Sequence, residues 1–398
     1  MNIKNKEFYR LAFLLLTLIL AGLPACAAAQ TAFSPSKVAL LRAPDGGIQP
    51  QAVTDSKGII HLIYYKGDSQ AGDIYYIRLN SSGQPESSPL RVNSQLGSAV
   101  AIGWVRGAQI AVGKDDRVHI IWNGSGTAEP RGVGGGPMLY TRLNDAGTAF
   151  EPQRNLITWA GGIDGGGALA ADGKGNVYVF WHTPAAENKT DADGKVFMTR
   201  SVNEGKTFSR EERANPDSSG ACGCCAMKAF IDEKGILYLL YRAAGENVNR
   251  DTTLLVSNDK GKIFESKTLA HWKLDACPLT TYSIAQSTLT GAVLGAWTNQ
   301  DRIYFAALNA ENKSVFEPVS PSETNSSRKY PVIAANARGE TLLAWIEGAS
   351  WGKGGSLVWQ MFNKNGKPVG EMGRADGVPA WSLLTAFVRP DENFELIY

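Results

Sequence analysis

Leu169-Ala170-Ala171-Asp172-Gly173-Lys174-Gly175, followed by Val177-Tyr178-Val179-Phe180-Trp181 and then by Ser201-Val202-Asn203-Glu204-Gly205-Lys206-Thr207-Phe208, is the stretch that decides the fold. The first two segments are short and apolar, and the second is rich in β-branched and aromatic residues, as strands are. Between them stands a turn of Asp and Gly, residues that tolerate positive φ, so the two read as one hairpin. The same hairpin recurs at Ala52–Gly58 before Ile59–Tyr65, at Ala229–Gly235 before Leu237–Tyr241, and at Ile333–Gly339 before Trp345. The aromatic that ends the second strand appears at Tyr65, Trp122, Trp181, Tyr241, Trp297, Trp345 and Tyr398, at intervals of 48 to 60 residues. No stretch has sustained helical periodicity. A repeat of this length, each copy supplying four strands, predicts an all-β fold, a β-propeller.

A third landmark lies between successive hairpins. Ser201–Phe208 and Ser257-Asn258-Asp259-Lys260-Gly261-Lys262-Ile263-Phe264 are the best copies, and Leu143–Phe150 is weaker. These octapeptides resemble the Asp box, Ser-x-Asp-x-Gly-x-Thr-Phe/Trp, of the BNR-repeat and sialidase-like propellers, with Asn203 in place of Asp and Ile263 in place of Thr. The physical sense is that an acidic or amide side chain folds over the turn amides, Gly takes the left-handed position and the aromatic packs beneath. Each unit then reads as four strands, A to D, with the box in the C–D turn. Six complete units run from about residue 50 to about residue 372, and an A–B hairpin, Leu383–Arg389 and Phe394–Tyr398, closes the chain. Ser36–Arg42 reads as an outer strand with no hairpin before it. The expectation is a seven-bladed propeller with one blade split between the termini, which removes an open sheet edge. Six blades, the number in sialidases, is the alternative.

The ends and the bulk composition bound the rest. Lys4, Lys6 and Arg10, an apolar run from Leu11 to Leu23 and the small residues Ala27-Ala28-Ala29 have the order of a secretory signal. Residues 1–29 are therefore expected to be removed, leaving 36–398 as one propeller domain in the periplasm or outside the cell. Leu23-Pro24-Ala25-Cys26 resembles a lipobox, so a lipid anchor at Cys26 is a second expectation. No other apolar run is long enough to span a bilayer. With 40 Lys plus Arg against 38 Asp plus Glu, the chain offers no electrostatic case for nucleic acid.

In a propeller the D–A and B–C loops share one face, and the A–B and C–D turns share the other. The Asp boxes fall on the second face. The first collects Cys222-Gly223-Cys224-Cys225 in one D–A connection, Trp272 and Cys277-Pro278 in the next, Arg242, Arg250 and Asp251 around the B–C connection between them, and His182 at a strand end. Cys-x-Cys-Cys, Tyr241-Arg242, Arg250-Asp251, an Asp box, Trp272 and Cys277-Pro278, in that order, resemble a subgroup of bacterial exported sialidase-like propellers classed by fold rather than by a demonstrated activity. Cys222, Cys224, Cys225 and Cys277 admit three readings. They are two structural disulfides, with three possible connectivities; a soft-metal site for Cu or Zn, with Met227, His182 or His271 as further donors; or reactive thiols. Arg242, Arg250 and Asp251 read either as a solvated ion pair or as anion recognition by guanidinium forks. Trp272 and Trp351 are candidate platforms for sugars. The sialidase resemblance implies three arginines on a substrate carboxylate, a Tyr–Glu nucleophile and a Phe/Tyr-Arg-Ile-Pro motif. Only Leu41-Arg42-Ala43-Pro44 approaches that motif, and no arginine triad or Tyr–Glu pair is recognisable. The expectation is thus a cell-envelope propeller that binds a small molecule, carbohydrate or metal on the loop face, with Arg242, Arg250, Asp251, Trp272 and His182 as ligand-binding candidates. An exo-sialidase-type glycosidase and a protein-interaction scaffold are the alternatives.

Overall fold

The hairpin that opened the reading forms in register. Gly167–Ala171 pairs antiparallel with Val177–Thr183, placing Gly167 opposite Trp181 and Ala171 opposite Val177. Lys195–Ser201 adds as the third strand and Glu212–Arg213 as the fourth. The computed structural model describes residues 37–132, 134–183, 190–216, 218–246, 248–308, 317–322 and 326–398. Lys37–Tyr398 is one compact unit, and its strands form seven sheets. The expected signal segment and the lipobox at Cys26 lie outside the described residues.

The turns on the Asp-box face explain the repeat. Asp172 Oδ1 accepts the backbone N–H groups of Lys174 and Asn176, and Gly175 takes φ +89°. Asp55, Asp232 and Asn336 close the equivalent turns of other blades in the same way. In the C–D turns, Asp259 Oδ1 accepts from Lys262 and Ile263, while Ser257 Oγ accepts from Gly261. Asn203 does the work of the missing Asp, accepting from Thr207 at 3.0 Å. Each box aromatic then meets a ring of the preceding blade edge-on. Phe150 packs on Tyr76, Phe208 on Tyr140 and Phe264 on Phe180. The boxes therefore fasten neighbouring blades as well as closing turns.

The core lies between sheets rather than within them. One cluster joins Ala168, Tyr178 and Phe180 of the third blade to Ala229, Leu239 and Tyr241 of the fourth. Trp122, Trp181, Trp297 and Trp345 at the strand ends are almost wholly buried. Burial of each aromatic contributes about 2–3 kcal/mol.

The seventh blade is split as expected. Thr385–Val388 and Phe394–Ile397 form its hairpin, and Val38–Leu41 lies beside the second strand, with Val38 opposite Phe394 and Leu41 opposite Ile397. That pairing is parallel. The N-terminal strand leads into the inner strand Ile48–Thr54 of the first blade, so it runs in the direction of a D strand, which is also the direction of a B strand. It occupies the position next to B because the closing blade has no C strand among the described residues. In the fifth blade, Tyr282–Gln286, Val293–Asn299 and Arg302–Ala307 form three strands, and among the described residues an isolated bridge, Phe305 to Val319, stands where the fourth was expected.

Candidate thiol site on the loop face

The cysteine segment is a tight turn at the entrance to the fourth blade. Gly220–Ala221 extends that blade's sheet by pairing with Ala243–Ala244. Cys222 N–H donates to Arg242 O, and Cys225 N–H returns to Cys222 O at 3.2 Å. Positions one, three and four of a single turn are thus all cysteine, so their sulfurs converge. Cys222 Sγ is 3.1 Å from Cys224 Sγ and 3.9 Å from Cys225 Sγ, and all three lie within 4.8 Å of one another. No disulfide joins them. Cys222 and Cys225 are wholly buried and Cys224 is half-buried, giving the cluster one accessible side. The turn fits against its neighbour only because of glycine: a Cβ on Gly165 would come within 2.0 Å of Gly223 O, and one on Gly223 within 2.3 Å of Asp164 Oδ2.

Arg242 sits behind the sulfurs, fully buried. Its Nη1 donates to Arg250 O at 2.8 Å, and its Nη2 donates to Thr298 O at 2.8 Å and Thr280 Oγ1 at 3.0 Å. Trp272 and Tyr282 present their rings to the guanidinium at 5.2 and 5.7 Å. Among the described residues no carboxylate pairs with it. Its charge reaches the sulfurs instead, because Thr280 accepts from Arg242 and donates its hydroxyl to Cys225 Sγ at 3.3 Å. Burial alone would raise the Cys225 thiol. Hydrogen bonds from Cys222 and Cys224, the Arg242 charge and the Thr280 hydroxyl outweigh it and hold Cys225 well below the ordinary cysteine value. Cys224 is pushed the other way, by its hydrogen bonds to Cys222 and Cys225 and then by burial.

The remaining candidates divide. Arg250 borders the cluster but is tied to Asp191 of the third blade, Nη1 to Oδ2 2.7 Å. Asp251 accepts from Trp272 N–H at 3.0 Å and contacts His271 Nδ1 at 2.9 Å. The solvated Arg–Asp pair expected within one loop is thus replaced by partners from other loops. Trp272 is buried against Arg242, so it is a wall of the site rather than a sugar platform. His182 is wholly buried, and neither ring nitrogen has a hydrogen-bond partner among the described residues. Burial holds it neutral, pushing it down to about 4. Met227 belongs to the core between the third and fourth blades, and His271 is exposed. Cys277 is exposed on the fifth blade's D–A connection and is not among the gathered sulfurs. That connection reaches the cluster through Thr280, three residues further on. Sequence reasoning singled out the right loop and missed Thr280, because a threonine in a polar loop carries no pattern of its own. Trp351 remains half-exposed on this face, with its ring against Gly103 and 6.4 Å from that of Trp381.

The fold has known counterparts. A protein of unknown function from Dyadobacter fermentans superposes with a TM-score of 0.51 at 15% identity, over 81% of this chain and 96% of its own. The NanB sialidase of Streptococcus pneumoniae gives 0.53 at 10% identity, over 78% and 67%. An α-L-arabinanase of Penicillium chrysogenum, complexed with arabinobiose, gives 0.52 at 10% identity, over 80% and 94%. No family model matches the chain, and no curated protein matches it in sequence. What it shares with these proteins is architecture, that of a β-propeller.

Proposed function

We propose that the protein binds a soft metal ion, Cu(I) or Zn(II), through Cys222, Cys224 and Cys225. The observation that carries this reading is the convergence of three unbonded sulfurs in one buried turn. Three bonds of about 2.3 Å in a trigonal arrangement need sulfurs about 4 Å apart; the Cys222–Cys225 separation of 3.9 Å meets that value, and Cys224, at 3.1 Å from Cys222, would move outward to ligate. Thiolates select Cu(I) and Zn(II) over hard cations. Three thiolates in a buried site require compensation, and Arg242 and Arg250 supply positive charge beside them. The bound ion supplies the rest of the charge balance. The residues around it orient the sulfurs: Thr280 fixes Cys225, and the Asp164–Gly165 loop holds the turn closed. Cys224, with its accessible side, is the sulfur an incoming ion meets first.

The signal-like order of residues 1–29 supports a further part of the proposal, that the protein works in the cell envelope, where ligation would protect these thiols from oxidation. A second reading, carbohydrate binding on this face, is favoured by one observation, the half-exposed Trp351 beside Trp381. A sialidase-type role for Arg242 is not favoured, since that guanidinium is buried and occupied by protein acceptors. Titration of the metal-free, reduced protein with Cu(I) or Zn(II) against a competing chelator tests the proposal. One ion per chain is expected, with Cys224→Ser and Cys225→Ser each abolishing tight binding. Unchanged binding in both variants would remove the site.

A further inference from the structure

The inner strands enclose a central channel that the thiol site does not use. Its walls include Gln51, Gln109, Lys228, Thr281, Ser283 and Thr385, contributed by different blades, and the cavity measures about 110 Å³. That is room for several water-sized groups. At the loop-face end, Trp104 and Tyr330 stack at 4.3 Å with their planes 8° apart and line the channel. At the other end Ala52, Ile284, Ile333 and Ala386 are shared with a wider cavity bordered by Thr54 and Arg389, towards the A–B turns.

The channel is rich in donors and lacks anionic acceptors. No Asp or Glu lines it among the described residues. Lys228 extends its ammonium within it and donates one hydrogen bond, to Gln109 Oε1 at 3.1 Å. An ammonium carries three donors, so two remain, and no carboxylate pairs with them among the described residues. Ser283 Oγ already accepts from Ile333 N–H at 3.1 Å, and Thr385 Oγ1 accepts from Ala52 N–H at 2.9 Å. Both hydroxyl protons are thereby left to donate. Lys228 is partly buried and has no carboxylate partner among the described residues, and a surplus of donors around such a cation is what a small anion satisfies.

We propose that the central channel binds a small inorganic anion of chloride size at the Lys228 ammonium. The burial that pushes Lys228 down to about 8 still leaves it charged at neutral pH. The anion reaches it from the A–B turn end, where the channel shares its lining with the wider cavity. This site is independent of the thiol cluster, and each can fail without the other.

Crystals soaked in bromide provide the direct test. An anomalous peak beside Lys228 Nζ is expected in the native protein and none in Lys228→Met. In solution, the melting midpoint of the native protein is expected to rise by about 2–5 °C when chloride replaces gluconate at constant ionic strength, with no such rise in Lys228→Met or Lys228→Gln. A channel without a bromide peak around an ordered Lys228 overturns the proposal, whatever the variants do. So does an equal chloride response in the native protein and both variants.

Discussion

Replacing Arg242 by Met separates the two roles that the structure gives this residue. The side chain is wholly buried and supplies donors to Arg250 O, Thr298 O and Thr280 Oγ1. Met fills similar space but leaves the two carbonyls without those donors, at about 1–3 kcal/mol each. Removing a buried charge that has no carboxylate partner gives part of this back. The net expectation is a loss of about 2 kcal/mol, a fall of a few degrees in melting midpoint for a propeller of this size. The second role concerns the sulfurs. Without the guanidinium, Thr280 is no longer anchored and Cys225 loses its nearest compensating charge, so metal affinity should fall about 10–100-fold, the usual effect of removing a group that orients a ligand. Chelator competition on the folded variant at 25 °C measures this, because the stability loss leaves the protein native there. Arg242→Lys keeps the charge but not the fork and should fall between. A folded Arg242→Met protein with undiminished affinity would refute the charge-and-relay account of the site.

Other outcomes follow from the fold. His119 is buried against Tyr140, and desolvation, with the Arg142 and Arg117 charges, pushes it down to about 3. An unfolded histidine titrates near 6.5, so between these values the unfolded chain binds more protons and stability falls as pH falls. From pH 6.5 to 4.5 the loss is about 2 kcal/mol, read by urea denaturation, and His119→Phe should flatten that part of the curve. Trp181→Ala should cost about 3–5 kcal/mol, since the ring is fully buried between blades; a loss under 1 kcal/mol would contradict the account of the core. Deleting residues 37–42 removes the strand that completes the closing blade, and a melting midpoint unchanged by that deletion would contradict its role.

Much of the architecture was legible because its turns are chemically distinctive. Asp172, Asp55 and Asn336 mark A–B turns, and Ser257 with Asp259 marks a C–D turn, at positions where a side-chain acceptor must cover exposed amides. The split blade was legible because Ser36–Arg42 had strand character and no partner nearby in sequence. Its parallel pairing was not, since strand direction follows from where the chain goes next rather than from composition. At the thiol site, three cysteines in four residues announced themselves. Thr280 and Asp191, and in the channel Lys228, did not, because each acts on a residue of another blade or on the shared channel and leaves no local periodicity. The pairing of Arg250 with Asp191 in place of its neighbour Asp251 has the same origin: loops from adjacent blades meet side by side, so partners lie about one repeat apart in sequence.

The most direct test of the thiol site is a thiol count and elemental analysis on one sample purified without reductant. The account predicts one Cu or Zn per chain and protection of Cys222, Cys224 and Cys225 from alkylation until the metal is removed, with exposed Cys277 labelled throughout. A metal-free protein in which two of the three clustered cysteines resist alkylation until reduced would show that the turn holds a disulfide, and would contradict the claim.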